Sequence, residues 1–256
     1  MAETSKTVHH AARVLEELRS GGPVPASELA RRLALSRTVV TRLINTLESH
    51  DLVRRTGAGI ELGFGLLDLA RGLAPGLRDI ARPHLHELAI TFHETAVLAV
   101  ADGDSAVAVD QVVPDRRVVR IHYRAGTRHS LLAAAHGRAM LAFAHPALIA
   151  GLTGGEAEGA LGEELRRIRR DGYAVSHDEL EQGVAGLASP ILDGEGMAMA
   201  SLGIVAPVAR FPAKDRVAGA VRDAARLVTI ELAEDHHTST SRRSDRREHA
   251  LLPTGR

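Results

Sequence analysis

Apolar residues recur at helical spacing from the start of the chain. Val8, Ala11, Ala12, Leu15 and Leu18 fall on one face, and Gly21, Gly22 and Pro23 stop the pattern. A second pattern of about two turns points Leu29, Ala30 and Leu33 inward, with Ser27 placed to cap it. The triplet Ala34, Leu35, Ser36 reads as a corner, and Ser36 is placed to cap a third helix running to about Ser49. On a wheel stepped by about 100° per residue, Val40, Leu43, Ile44 and Leu47 cluster as a core face. Thr38, Thr41, Arg42, Asn45 and Ser49 gather opposite them. Two short strands then flank Gly57, Ala58 and Gly59, with Val53, Ile60 and Leu62 at the apolar positions. Three helices followed by a hairpin is the order of a winged helix-turn-helix.

The pattern continues with an amphipathic helix over 64–75, closed by Pro75 and placed as a connector. A helix over 78–93 uses Ile80, Leu85, Leu88, Ala89 and Phe92, and is followed by two strands around Asp102 and Gly103. Alternation in 116–123 predicts a third strand, and the small residues of 133–143 a helix. The segment from Leu161 reads as a helix ended by Gly172, leading into a strand. Further strands near 185–192 and 197–205 flank the turn Asp193–Gly196, and a last helix covers about 212–235. From His236 the chain is polar and without period, which predicts a disordered tail. Helices alternating with hairpins predict an α/β or α+β second half with a mixed or antiparallel sheet.

Composition narrows the chemistry. The 256 residues suggest two domains. With no cysteine, disulfides, thiolate catalysis and cysteine-ligated zinc are excluded. No secretory leader and no run of about 18 apolar residues is found, so a cytoplasmic protein with no membrane partner is expected. Net charge is zero overall, but 31–55 holds Arg31, Arg32, Arg37, Arg42, Arg54 and Arg55 against Glu48 and Asp51. The chain has 14 histidines, yet the nearest trio, His84, His86 and His93, sits on different helical faces, so no metal site is assigned. No nucleophile elbow, phosphate loop or dinucleotide fingerprint occurs, and no cofactor or catalytic residue is assigned. The acidic Ser176–Glu181 stretch reads as a solvated helix start.

The outward face of the third helix suits double-stranded DNA. Arginine can pair with guanine, asparagine with adenine, and threonine offers a hydroxyl and a methyl. Arg37 lies at the helix start, where free N–H groups favour a phosphate, and Arg54 and Arg55 on the hairpin reach backbone or minor groove. The DNA-contacting set is therefore Ser27, Ser36, Arg37, Thr38, Thr41, Arg42, Asn45, Arg54 and Arg55. A merely solvated face, or a winged helix that binds protein, is the competing reading.

The stretches "ELARRLALSRTVVTRLINTL" and "LVRR...IELGFGLLDLA" resemble the N-terminal domain of the IclR family of bacterial transcriptional regulators. The segments "HGRAMLAF", "IRRDGYAVSHDELEQGVAGLASPILD" and "SLGIVAP" follow that family's effector domain in order. The resemblance implies an α+β two-domain chain: a winged helix-turn-helix over 1–63, a linker helix over 64–76, a GAF-like effector-binding domain over 77–235 and the tail over 236–256. It implies a homodimer or homotetramer on operator DNA, controlled by a small effector, often an organic or aromatic acid. By position the effector pocket draws on Ala135, His136, Ser176, Val184, Gly186, Gly203 and Val205. Gly203 and Val205 stand where relatives carry hydroxyls, which predicts a roomier, more apolar pocket and a larger effector. Arg138 replaces the family's usual lysine and keeps a positive charge there, structural or anion-binding. The alternatives are a ligand-independent DNA-binding oligomer and a metabolite-converting α/β enzyme.

Overall fold

A computed structural model describes residues 4–19, 21–71, 76–114, 119–155 and 158–249, with backbone alone at 71 and over 236–249. The chain divides into two compact units, 1–75 and 76–256.

In the first unit, α1 (Lys6–Leu18), α2 (Ala26–Leu33) and α3 (Arg37–Ser49) precede a hairpin of β1 (Val53–Thr56) and β2 (Gly59–Leu62), followed by α4 (Gly65–Arg71). Leu18, Leu29, Leu33, Val40, Ile44 and Val53 interlock as one core, joined by Val14. Val14 is fully buried while Val8, expected inward, is 68% exposed, so the stripe of α1 is rotated from the one the spacing suggested. Ser27 caps nothing. Pro25 takes the N-cap position, its carbonyl accepts from the Glu28 and Leu29 amides, and Ser27 falls inside the first turn. Ser36 does cap α3, accepting from the Val39 amide at 3.3 Å. The corner between α2 and α3 turns on Ala34, held left-handed at φ 53°. At Gly59, φ is 147° and an added Cβ would lie 2.7 Å from the Val24 carbonyl carbon, because Val24 pairs with Ile60 beside the hairpin. Only glycine suits that close approach.

The second unit is a six-stranded sheet. Its strands are β3 (Thr95–Asp102), β4 (Ser105–Val112), β5 (Arg128–Ser130), β6 (Ala174–His177), β7 (Val184–Leu192) and β8 (Ala198–Pro207), ordered β5-β4-β3-β8-β7-β6. Every pairing is antiparallel. Strand β7 is buried without interruption from Ala185 to Ile191, as a strand covered on both faces must be. One cover is α6 (Ala134–Leu141); the other is the pair α5 (Leu77–Phe92) and α9 (Lys214–His249). Two more helices, α7 (Pro146–Thr153) and α8 (Gly159–Asp171), complete the layer around α6. Helix α7 is an element the sequence pattern did not reveal.

Three expectations are corrected here. The strand expected over 116–123 is not one in its described part, 119–123; the ladder partner of β4 is β5. The alternation was real, since Ile121 and Tyr123 do pack inward. Side chains, however, meet this backbone: Thr95 Oγ1 donates to the Ile121 carbonyl and the Tyr123 amide donates to Gln111 Oε1. Second, Ser176–Glu181 starts no helix; it ends β6 and enters the β6–β7 loop. Third, α9 runs on to His249 where a disordered tail was expected. Between Gly219 and Pro253 there is no glycine or proline, so nothing in the backbone stops a helix already begun. Residues 250–256 and 72–75 lie outside the described residues.

Candidate functional site

Helix α3 presents Arg37, Thr38, Thr41, Arg42 and Asn45 to solvent while Val40, Leu43, Ile44 and Leu47 are buried. The same wheel that builds the core therefore frees the opposite face. The arginines around it are not equivalent. Arg31 and Arg32 both turn onto Glu28, whose carboxyl is held down at about 2 by those hydrogen bonds. Arg54 sits 3.0 Å from Glu61 and lies over the Phe64 ring at 4.6 Å. Arg55 donates to Glu48 at 2.8 Å and to Asn45 Oδ1 at 2.6 Å, tying the hairpin to α3. Among the described residues, Arg37 and Arg42 alone of the six basic residues in 31–55 have no ion pair. The segmental positive charge thus resolves to two free guanidiniums on the reading face, with Asn45 already engaged through its oxygen. Ser27 is exposed in the first turn of α2 and borders a surface depression that Arg37 also lines.

The second unit encloses a cavity of roughly 330 Å³ against α6 and the ends of β6, β7 and β8. It brings together Ala135, His136, Ser176, Val184, Gly186 and Val205. Gly203 is not on its wall. A Cβ there would lie 2.3 Å from the Leu187 carbonyl oxygen, so glycine serves the approach of β8 to β7 and adds no room to the pocket. Residues outside the expected set complete the wall: Ile121, Tyr123, His129, Glu179 and Leu180. Their alternation or acidity was visible, but nothing in sequence spacing brings 121–129 and 179–180 onto one cavity.

Polar chemistry at the cavity centres on two imidazoles. His136 Nδ1 lies 2.9 Å from Ser201 Oγ, and its Nε2 is buried without a partner. Burial, with the nearby His129, pushes His136 down to about 3. His129 is likewise pushed down by burial; its Nδ1 is 3.0 Å from the Ser130 carbonyl and its Nε2 is buried and unpartnered. Both rings are therefore neutral near pH 7.

Glu179 is the residue whose role the sequence concealed. Its Oε2 accepts from the Ala134 amide at 2.9 Å, at the start of α6. Its two oxygens accept from Arg138 Nη1 and Nη2, each at 2.5 Å. That bidentate bond holds its carboxyl below the usual range. Arg138 also donates to the Val175 carbonyl at 3.0 Å and lies 3.0 Å from Glu164. Its charge thus fastens α6 to α8 and β6.

A winged helix-turn-helix in one unit and a walled cavity in the other define the class: a DNA-binding regulator with a second, cavity-bearing unit. The family description "Bacterial transcriptional regulator IclR C-terminal" matches residues 74–230, and "MarR family" matches 7–59. The HTH-type transcriptional regulator Rv1719 of Mycobacterium tuberculosis is 31% identical over 230 residues, spanning 84% of this chain and 88% of that protein. The glycerol operon regulatory protein of Streptomyces griseus is 31% identical over 254 residues, 91% and 98% of the two chains. An IclR homolog from Microbacterium hydrocarbonoxydans, solved with 4-hydroxybenzoate, superposes with a TM-score of 0.76 at 25% identity, covering 90% of this chain and all of that one. The chain belongs to the IclR family of bacterial transcriptional regulators. Its relatives are named as regulators and not as enzymes. No helix among the described residues is long and apolar enough to cross a membrane.

Proposed function

We propose that this regulator occupies a specific operator through α3 and the hairpin, and that a small aromatic effector in the cavity of the second unit controls that occupancy. The observation that carries the reading is the cavity itself, walled by Tyr123, two neutral imidazoles and the apolar side chains of Ile121, Val184 and Val205. An aromatic ring fits such a wall, and the 4-hydroxybenzoate in the Microbacterium homolog supports one-ring ligands here. Arg37 and Arg42 anchor and read DNA, with Thr38 and Thr41 beside them, Ser36 setting the helix start and Arg54 and Arg55 bracing the wing. A symmetric homo-oligomer places two reading helices on two half-sites. Exposed Phe64, Leu67 and Leu69 supply an apolar surface beside the wing for such a contact.

Fluorescence anisotropy on an operator selected from random DNA tests the reading. Aromatic compounds should shift the DNA midpoint severalfold, and Val205→Phe, which fills the cavity, should abolish the shift while leaving DNA affinity intact. DNA affinity indifferent to every aromatic compound contradicts effector control and favours a ligand-independent DNA binder.

A further inference from the structure

Glu179 stands where an anionic ligand would be expected. It accepts the α6 N-terminal amide of Ala134 and both Nη groups of Arg138, a guanidinium that reaches the cavity only through Glu179. The guanidinium on the cavity wall itself, Arg128, is paired with Asp102. Counting wall residues and their ion-pair partners, the three carboxylates Asp102, Glu179 and Glu181 stand against the two guanidiniums Arg128 and Arg138. A ligand carboxylate would enter a region already rich in negative charge, with no uncommitted cation to receive it. Burying it unpaired is costly.

The unpartnered groups ask for something else. In neutral His129, the ring meets the Ser130 backbone through Nδ1 and lies by the Ala133 backbone, and Nε2 is left without a hydrogen-bond partner that a ligand hydroxyl can supply. His136 Nε2 is also without a partner, and the tautomer is set by which way the Ser201 hydroxyl turns. A ligand hydroxyl can donate to one imidazole or accept from the other. A carboxylate cannot donate. Ile121, Val184, Val205 and the ring of Tyr123 supply apolar and aromatic wall beside the polar Thr127 and Ser176.

We infer that the cavity selects an uncharged, hydroxyl-bearing aromatic compound, a phenol or aryl alcohol, and rejects the matching carboxylate, because the chain's own Glu179 fills the anion position. This rests on the aromatic-effector reading above and replaces the organic acid expected from the sequence. Glu179 is then the specificity-determining residue.

Calorimetric titration of the full chain with ring-matched probes tests it: 4-hydroxybenzyl alcohol against 4-hydroxybenzoate, and 2-naphthol against 2-naphthoate. The alcohol or phenol should bind at least about tenfold more tightly than its carboxylate partner. In Glu179→Gln the gap should narrow, with carboxylate affinity rising. His136→Asn, which keeps a polar partner for Ser201, should weaken 2-naphthol and leave 2-naphthoate unchanged. Equal or tighter binding of the carboxylates by the native chain overturns the inference while leaving the aromatic-effector reading intact. Binding of neither class overturns both. The native comparison stands even if Glu179→Gln fails to fold.

Discussion

His136 is fully buried and its imidazole is pushed down to about 3, below the 6.5 of the free side chain. The unfolded chain therefore takes up that proton first as pH falls, so the native state is favoured fully above about pH 6.5 and loses this contribution on descending towards pH 3. Urea midpoints measured from about pH 7 to pH 5 should fall with acidification, and His136→Asn should flatten the slope. An unchanged slope in the variant would assign the acid sensitivity to other groups. On the DNA face, Arg42 is free while Asn45 is held through its oxygen by Arg55. Pairing with adenine needs both the amide oxygen and the amide nitrogen of asparagine. Arg42→Ala should therefore cost about 1 to 3 kcal/mol of operator affinity and relax one base position. Asn45→Ala should cost less, and anisotropy titrations over single-base operator variants separate the two. The exposure of Arg42 was legible from the helical wheel. The Arg55–Asn45 bond was not, because a wheel carries no information about the neighbouring strand.

Helices were read well where one face is buried and one is wet, as in α3 and α8. Helix α6 shows a different kind of legibility. It was visible from its small residues, yet every residue from Ala134 to Leu141 is buried, including a charge. A wholly buried helix has no amphipathic period, and the role of Arg138 depends on partners 26 and 41 residues away in Glu164 and Glu179. Arg138→Lys keeps the charge but loses the fork, and should lower the unfolding free energy by about 1 to 2 kcal/mol in urea titration. A stability equal to the native chain's would mean the fork contributes nothing beyond charge. The corner residue Ala34 is left-handed without being glycine, a conformation costing about 1 kcal/mol for an L-residue. The misread strand over 119–123 had the period of a strand but has side chains, rather than a neighbouring backbone, as its hydrogen-bond partners. Period reports which side chains face inward; it does not report what the backbone bonds to.

Across the whole chain, order of elements was the most legible property. Three helices and a hairpin gave a winged helix-turn-helix, and collinear sequence stretches in both halves carried the resemblance to one family. The cavity was legible only in part. Ala135, His136, Ser176, Val184, Gly186 and Val205 meet there, while Glu179 and Tyr123 arrive through loops, and His129 through the short edge strand β5, that no local pattern places at the cavity. Gly203, read as pocket space, belongs to strand packing. The two proposed functions thus rest on different kinds of information: the proposed reading face on helical period, the proposed ligand site on tertiary closure. The most direct measurement of the central claim is selection of bound duplexes from a random DNA pool by the intact chain, repeated with Arg42→Ala. The account predicts enrichment of one motif with two half-sites about 10 base pairs apart, lost or relaxed at one position in the variant. Recovery of no motif, or of the same motif with undiminished affinity by the variant, would contradict it.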